Sequence, residues 1–561
     1  MKTIYLLPVF LYVFLLPNLV DGIEFPRSIL IVIFALSFAM LRPRYLRVKS
    51  KIVLIPFTIP IFMAFSSIFN LQNPLSALFG KQGRNFGILL YASLSMIILI
   101  MSNFKITGSK NLLRYTIVPI SVLSVLYGAL QVFKKDFLVW GESDRVVLTL
   151  GNSNYAAGFI SLLTSGLVYG ILQSNRKSIK LTYSILLISL LYIGIRTISF
   201  QFYFLTIVSV VSFLFFANYH SIIRISKKIL LFASFMILTT SVLLLNSFKS
   251  VLNELTSADD RLAMQKAGLE IFKDNFVFGV GVDGLNRFMP QYLTLEDLNR
   301  ENGYFIPDKT HNSVIDHLAN GGIFTAISYC AFITFIFFCI SRILSDSYKD
   351  NLEIALPASI FCTYFIQGFM NTDSVLNMVI PYISIGMLVS IYLQSKRIEE
   401  APKGIFWKNL NQIFIAIIIF SLILLVPRAF QSEIETKRVL TSQSISSEKI
   451  IEAINFWPDR GNIEKILVAV AQNVKNCPIA ITVADRLIEV DSRSGQGWYV
   501  KGLCADSLGD HEKALTYIVN AVNFQPLNPN YLRAKFQLED FLKRDLEANE
   551  TLEILNQIQF S

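Results

Sequence analysis

The sequence predicts an all-α membrane protein, a polytopic bundle of about 12–13 transmembrane spans followed by a helical-repeat domain. Composition is the first indication: 53% of the 561 residues are hydrophobic, 16% are charged, and the mean hydropathy is +0.52. Lipid suits such a chain over most of its length. The second indication is a series of apolar runs near the roughly 20 residues that cross a bilayer. The third is an abrupt change, after Pro427, to a soluble helical composition.

The apolar runs predict the spans in chain order. They cover residues 3–20, 28–41, 52–69, 86–103, 112–133, 154–173, 180–195, 199–217, 229–247, 321–341, 353–370, 376–393 and 411–427. We expect the first run to be an uncleaved helix, because no small-x-small cleavage site precedes the sequence DGIEF.

The basic residues of the short loops predict the orientation, since loops rich in Lys and Arg remain in the cytoplasm. With the N-terminus inside, the inner loops carry 20 Lys and Arg residues and the outer short loops carry seven. The odd number of spans then places a large loop, 248–320, and everything after residue 427 outside. We therefore predict a transmembrane domain, 1–427, and an external domain, 428–561. The net charge of +10 follows from this asymmetry and requires no nucleic-acid partner.

The external domain has the spacing of tetratricopeptide (TPR) repeats. Its small and aromatic residues fall at the offsets of one full repeat: Trp498, Gly502, Ala505, Ala514, Ile518, Ala521 and Pro526. We predict two or three degenerate repeats and a capping helix near 530–558, with a concave face for a protein partner. A helical domain without a function of its own is the alternative. Cys477 and Cys504 lie here, and the sequence does not decide whether they pair.

Four polar clusters lie on the predicted outer face. They are GKQGRNFG (80–87), TLGNSNYAAG (149–158), GIRTISF (194–200), and a large island, 259–322, that contains DDRLAMQKAGLEIF, FGVGVDGLNRF and KTHNSVIDHLANGG. The G-x-x-x-R-x-x-G and GN-x-N elements, the turn arginine, the arginine opening an external helix, FGVG-x-x-G, and HN followed by GG resemble the O-antigen ligase and Wzy-type polymerase superfamily in order and in sidedness. The resemblance covers roughly residues 50–395.

The resemblance implies a GT-C-like glycosyltransferase of the bacterial cytoplasmic membrane. Such enzymes move a glycan from a polyprenyl-diphosphate carrier to a hydroxyl acceptor, by an inverting and metal-independent reaction that uses no cofactor. The acceptor is a lipid-sugar, as in lipopolysaccharide, a second lipid-linked glycan in a polymerase, or a protein Ser or Thr. The shared motifs also make Asn154 and Asn312 candidate site residues.

The leaving diphosphate predicts arginines in the site, because a guanidinium forks two hydrogen bonds onto phosphate oxygens. Arg196 and Arg261 are our first candidates and Arg84 is the third. The first two have simpler interpretations: Arg196 as a side chain reaching lipid headgroups from a helix end, and Arg261 as a surface charge at a helix start.

The acceptor hydroxyl must lose a proton as it attacks, and a histidine titrating near neutrality suits that task. Following the resemblance, we predict His311 as the general base; without it, an ordinary interfacial histidine would be favoured. Asp308 is either an alternative base or a group that orients the imidazole. His220 lies in a predicted cytoplasmic loop, His511 in the repeat domain, and His317 about 600° further round a helix than His311.

Two further patterns predict no site. Gly279-x-Gly281-x-x-Gly284 matches a dinucleotide fingerprint, but no βαβ unit surrounds it, so we interpret it as a glycine-bent loop. The carboxylates of the island form no metal-binding cluster. A transporter of lipid or glycan is the alternative of another class, and it would place ionisable groups near the middle of the spans.

Overall fold

The computed structural model describes residues 2–46, 48–70, 73–104, 108–138, 140, 144–219, 249–300, 306–345, 351–396, 424–442, 446–456, 459–471 and 477–558. Every regular element in these residues is helical. Among the described residues before 397, the helices of at least twelve residues are α1 (Lys2–Val13), α2 (Glu24–Leu41), α3 (Lys51–Phe69), α4 (Ile88–Ser102), α5 (Gly108–Val132), α6 (Ser153–Gln173), α7 (Lys177–Ile195), α8 (Phe200–Ala217), α9 (Lys249–Asp274), α10 (Ser313–Ser345), α11 (Asn351–Gln367) and α12 (Val375–Ser395).

Eight of the described helices are long and apolar enough to cross a membrane: α2, α3, α5, α6, α7, α8, α10 and α12. They establish an all-α, multi-pass membrane architecture. The predicted spans 3–20, 86–103 and 353–370 correspond to shorter helices, α1, α4 and α11, of 12, 15 and 17 residues. The predicted span 229–247 and residues 411–423 of the last one lie outside the described residues.

The bundle is built around α12, whose most apolar 18-residue window is completely buried in protein. Helix α7 is at the opposite extreme, because only 17% of its window is buried. Its exposed side chains include Leu181, Ile185 and Ile188. An apolar face of this kind suits contact with lipid, so α7 lies at the periphery of the bundle.

Arg27 corrects the predicted first loop, because it lies inside α2 and is completely buried. Its Nε donates to the carbonyl oxygen of Leu11 at 2.8 Å, and its Nη2 donates to that of Thr149 at 2.7 Å. A buried guanidinium needs such partners to offset lost hydration. Arg27 thereby joins the end of α1 to the start of α6, so it is a structural charge within the bundle rather than a topology signal.

Three of the segments predicted to lie inside meet at one end of the bundle. At one end of the bundle, Asn103 donates to Tyr45 O at 3.0 Å, and Gln394 donates to Phe104 O at 3.0 Å. All of these residues belong to predicted inner loops or helix ends. The segments predicted to be outside meet one another at the other end, where the polar clusters of the sequence come together.

Helix α10 is broken at Gly322, whose φ of 69° and ψ of −169° are open almost only to glycine. The FGVG segment closes the end of the short first part, since Val280 N and Gly281 N donate to the carbonyl oxygens of Ala319 and Asn320 at 2.9 Å. Ser66 Oγ also donates to Asn320 O, at 2.9 Å. The glycine-bent loop predicted at 279–284 therefore caps the end of the first part of α10.

The chain continues in a helix over 424–441 and seven more: α14 (Ser447–Phe456), α15 (Arg460–Ala471), α16 (Cys477–Val490), α17 (Gly495–Ser507), α18 (His511–Phe524), α19 (Pro529–Phe541) and α20 (Asp545–Gln557). We call these seven the C-terminal helices, and the helix over 424–441 α13. The residues behind the repeat prediction pack between α17 and α18, where Ala514, Ile518 and Ala521 are completely buried. That the pairs are TPR repeats stays a prediction. Residues 530–558 form two helices rather than one capping helix.

The structure pairs Cys477 with Cys504, whose Cα atoms are 5.5 Å apart. The bond joins the start of α16 to α17 across 27 residues of sequence. Cys330, Cys339 and Cys362 are free and lie in α10 and α11.

We predict that Gly322→Ala destabilises the protein by more than about 2 kcal/mol. Alanine would be strained at this positive φ, and its Cβ would also overlap a neighbouring backbone atom. A Cβ at Gly322 would lie 2.2 Å from Val277 O. Gly83→Ala is the matched control, since Gly83 also has a positive φ, 85°, but a Cβ added there would meet no atom within 4 Å. The apparent Tm of the detergent-purified protein is the measurement. Equal losses in the two variants would contradict this account.

Candidate active site

Two carboxylates hold the loop 80–87 in place. Asp21 caps the start of α2 by accepting from Glu24 N at 3.0 Å, and it also accepts from Gly83 N at 3.1 Å and Asn85 Nδ2 at 2.6 Å. On the other side, Asp283 Oδ2 accepts from Lys81 N at 3.0 Å and Phe86 N at 3.3 Å. The loop that presents Arg84 is thus fixed from both ends, which pre-organises its side chain.

Arg84 forms a forked ion pair with Asp308. Its Nε and Nη2 donate to the two carboxylate oxygens at 2.8 and 3.0 Å. Its Nη1 donates to the hydroxyl of Tyr155 and, at 3.5 Å, to that of Thr372. Burial alone would raise the pKa of Asp308, but the charge of Arg84, these hydrogen bonds and Lys81 more than offset it and hold the pKa well below its usual value. Asp308 is therefore a poor base, and it orients Arg84 rather than His311.

The GN-x-N element shapes the start of α6. Gly151 has a φ of 73°, and Asn152 caps the helix by accepting from Asn154 N and Tyr155 N at 2.9 and 3.2 Å. Asn154 Oδ1 accepts from Ser199 Oγ at 2.6 Å. Asn154 therefore links the start of α6 to the turn before α8. The next residue, Tyr155, accepts a hydrogen bond from Arg84.

His311 lies in a constrained segment just before α10. Thr310 is fixed by Asp316, which accepts from its N and its Oγ1, both at 2.8 Å. His311 itself has a φ of 56°, a conformation uncommon for residues other than glycine. Asn312 Oδ1 accepts from Val314 N at 3.0 Å, so Asn312 caps the helix. Strained backbone of this kind clusters at functional sites.

The imidazole of His311 is oriented by Asn371. Its Nδ1 lies 3.2 Å from Asn371 Oδ1, which also accepts from Thr372 N at 2.9 Å, while Asn371 Nδ2 donates to Gln201 Oε1 at 3.3 Å. The backbone donor identifies the Asn371 atom near the ring as the oxygen, so His311 Nδ1 carries the proton. The Nε2 atom then holds the lone pair, as a general base requires.

Arg261 completes the group from α9. Its Nη1 donates to Met370 O at 3.0 Å. Burial, and then the nearby charge of Arg261, lower the pKa of His311 below its usual value near 6.5, with only a partial offset from the hydrogen bond with Asn371. The imidazole is therefore neutral at pH 7.

Three of the predicted residues converge on one turn. Arg261 contacts Met370, His311 contacts Asn371, and Arg84 contacts Thr372. We call residues 370–372 the hub turn; it lies between α11 and α12.

Arg196 does not join this group. It follows the last residue of α7, its side chain is exposed, and it makes no hydrogen bond or ion pair with another described side chain. The backbone around it is anchored, since Arg196 O accepts from Val146 N at 3.0 Å. The remaining histidines lie elsewhere: His317 stacks on Tyr329 with ring centroids 4.2 Å apart, His511 is in α18, and His220 is outside the described residues.

Sequence reasoning missed Tyr155, Gln201 and the hub turn. The sequence did indicate the hub turn, because the polar run NTDS (371–374) lies between two apolar spans on the predicted outer side. Asp21 and Asp283, which hold the loop 80–87, gave no such signal, since isolated aspartates are common in loops. Among the described residues, no group of three His, Cys, Asp or Glu side chains is arranged to hold a metal ion.

Residues 146–330 match the Wzy_C family model, described as O-antigen ligase. The matched range contains Asn154, Arg196, Arg261, Asp308 and His311, while Arg84 and the hub turn lie outside it. No curated protein matches the chain. The family match supports a place in the O-antigen ligase superfamily, and with it a membrane glycosyltransferase-like function on a lipid-linked glycan.

Proposed function

We propose that this protein transfers a glycan from a polyprenyl-diphosphate carrier to a hydroxyl acceptor at the outer face of the bacterial cytoplasmic membrane. The observation that carries the proposal is the convergence of Arg84, Arg261 and His311 on the hub turn. These side chains come from three separate segments of the chain, and they supply the two functions that the reaction needs, a base and permanent cations.

His311 acts as the general base on the acceptor. A neutral imidazole whose Nδ1 is held by Asn371 presents Nε2 to a hydroxyl group, and burial keeps it unprotonated at pH 7. As the acceptor oxygen bonds to the anomeric carbon of the donor, its proton passes to Nε2. The bond from that carbon to the phosphate oxygen breaks, and its electron pair leaves with the diphosphate. One displacement of this kind inverts the anomeric configuration.

The arginines stabilise the leaving diphosphate without a metal ion. Arg261 donates to Met370 O, and the next residue, Asn371, contacts His311, so we assign Arg261 to the diphosphate beside the base. Arg84 is fixed by Asp308, Tyr155 and Thr372. A fixed cation costs no reorganisation when charge develops on the phosphate. The exposed Arg196 sits at a helix end, where a side chain can reach a phosphate at the membrane surface.

We further propose that a transmembrane domain, 1–427, carries the reaction and that an external TPR-type domain, 428–561, binds a protein or glycan partner. The Cys477–Cys504 pair supports an outer location, because disulfides persist in oxidising compartments. The acceptor is a lipid-sugar, a second lipid-linked glycan or a protein hydroxyl, and the test below separates these cases.

We expect His311→Ala to abolish transfer in cells, since loss of a general base slows a reaction about 100- to 10,000-fold. Surface glycans and lipid-linked glycans are compared by gel and mass spectrometry, after the variant's amount in the membrane is checked. Accumulated single repeat units indicate a polymerase, and accumulated long chains indicate a ligase. Loss of glycan from proteins alone indicates a protein acceptor.

His511→Ala is the matched control, because His511 is a partly exposed histidine of α18, away from the hub turn. It should leave every glycan at its normal level. Normal surface glycans in the His311→Ala strain would contradict the assignment of the base.

The pH profile provides a second test. Activity requires neutral His311, so kcat/KM should fall as the pH drops through its pKa, with a midpoint below 6.5 because burial and Arg261 lower that pKa. Arg261→Gln removes the nearby positive charge, so it should raise the pKa and shift the midpoint to higher pH, whatever its effect on the maximal rate. The measurement is a reconstituted transfer assay across pH. If Arg261→Gln leaves the midpoint of the profile unchanged, Arg261 does not lower the pKa of His311 and this prediction is wrong.

The location of the C-terminal helices is tested with thiol labelling. In a variant with Cys330, Cys339 and Cys362 replaced by Ser, a maleimide polymer added to denatured, unreduced samples should modify neither remaining cysteine. Reduction should expose both, because the pair forms only in an oxidising compartment. Labelling without reduction would place these helices in the cytoplasm.

A further inference from the structure

A polar cleft separates the C-terminal helices from the loops around Arg84. Four segments form its walls: 73–82, 282–287, 459–464 and 490–491. Its polar side chains include Asn73, Lys81 and Gln82 on one side and Asp459 and Glu464 on the other. The cleft is distinct from the hub turn, since none of residues 370–372 lines it.

The cleft leads to the candidate active site through Lys81. The Lys81 Nζ atom lies 3.6 Å from Asp308 Oδ2, and the same carboxylate holds Arg84. Asp308 is three residues before His311 in the sequence. Lys81 therefore lines the cleft and also contacts the carboxylate that holds Arg84.

The walls are fixed by ion pairs between the two parts of the chain. Asp491 is nearly inaccessible, and its oxygens lie 2.8 Å from Arg287 Nη2 and 2.8 Å from Arg460 Nε. Arg460 Nη1 also donates to Asn286 Oδ1 at 3.2 Å. Gln82 accepts from Lys465 Nζ at 2.8 Å and donates to Asn462. A cleft held in this way is pre-organised, so little entropy is lost when a ligand enters it.

The lining excludes two classes of ligand. Its apolar members are Val282 and Val490, which is too little for a lipid chain. The lining also carries four carboxylates, Asp283, Asp459, Glu464 and Asp491, against three cations, Lys81, Arg287 and Arg460, so it has no excess of positive charge to hold a phosphate. What remains is a neutral molecule rich in hydroxyl groups, because the carboxylates accept hydrogen bonds from hydroxyl groups while Lys81 donates to them.

We propose that this cleft binds the sugar residues of the acceptor glycan and directs the terminal hydroxyl group toward His311. This inference rests on the proposed function. The acceptor fits better than the donor, because the diphosphate of the donor is assigned to Arg84 and Arg261, whereas the cleft has more carboxylates than cations and one of its walls is built by the C-terminal helices. The inference also gives these helices a direct part in substrate binding.

Equilibrium binding to the full-length protein tests the proposal. The probe is a fluorescently labelled oligosaccharide released from the surface polysaccharide of the same cells, and His311→Ala protein is used so that no turnover occurs. Glu464→Gln should weaken binding roughly three- to tenfold, the usual effect of one weakened hydrogen bond. Glu489→Gln is the matched control, since Glu489 is an exposed carboxylate outside the cleft, and it should bind as the parent does.

A second variant acts from the opposite wall. Ser76→Trp should fill the cleft and abolish binding without altering the C-terminal helices. If neither Glu464→Gln nor Ser76→Trp changes binding, or if the parent protein does not bind the probe, the proposal is wrong.

The transfer assay separates this inference from the proposed function. If transfer requires His311 but the acceptor KM is unaffected by Glu464→Gln, the function stands and the cleft is not the acceptor site. If transfer does not require His311 but the cleft variants still weaken binding, the glycan site stands and the proposed base is wrong.

Discussion

The hub turn, residues 370–372, is the constraint on which the site depends. Its carbonyl, amide and hydroxyl groups contact Arg261, His311 and Arg84 in succession. The turn is short and begins where α11 ends, immediately before α12, the most deeply buried candidate span. The hub turn therefore positions all three reactive side chains. The ion pair of Arg84 with Asp308 adds a second link, and Tyr155 and Lys81 also contact its partly buried charges.

Much of the fold could be predicted from the sequence. Apolar runs of span length form helices whether they face lipid or protein, so α6, α7 and α8 appear close to their predicted bounds. Shorter runs were harder, because α1 ends at Val13 although apolar residues continue beyond it. Hydropathy also could not reveal that Arg27, inside α2, donates to the backbone carbonyl groups of Leu11 and Thr149, since that depends on which helices are neighbours.

The candidate site was predictable only in part, for a related reason. His311, Arg261 and Arg84 carry distinctive chemistry, and motif order pointed to them. Asn371 is an ordinary amide whose importance comes from its position opposite His311, 60 residues away in sequence. Asn312, by contrast, looked like a reactive neighbour of His311, but its side chain caps α10. Residue type identifies groups that react; the residues that hold them are identified by contacts between distant segments.

The buried Asp491 has a consequence for how such chains diversify. Asp491 pairs with Arg287, before α10, as well as with Arg460 of the C-terminal helices. Its charge is therefore neutralised jointly by two distant segments of the chain. Losing either arginine leaves a carboxylate that is inaccessible to water and less well neutralised. The C-terminal helices therefore cannot be exchanged as an independent module: a chimera that imports them from a relative must import the matching loop around residue 287 as well.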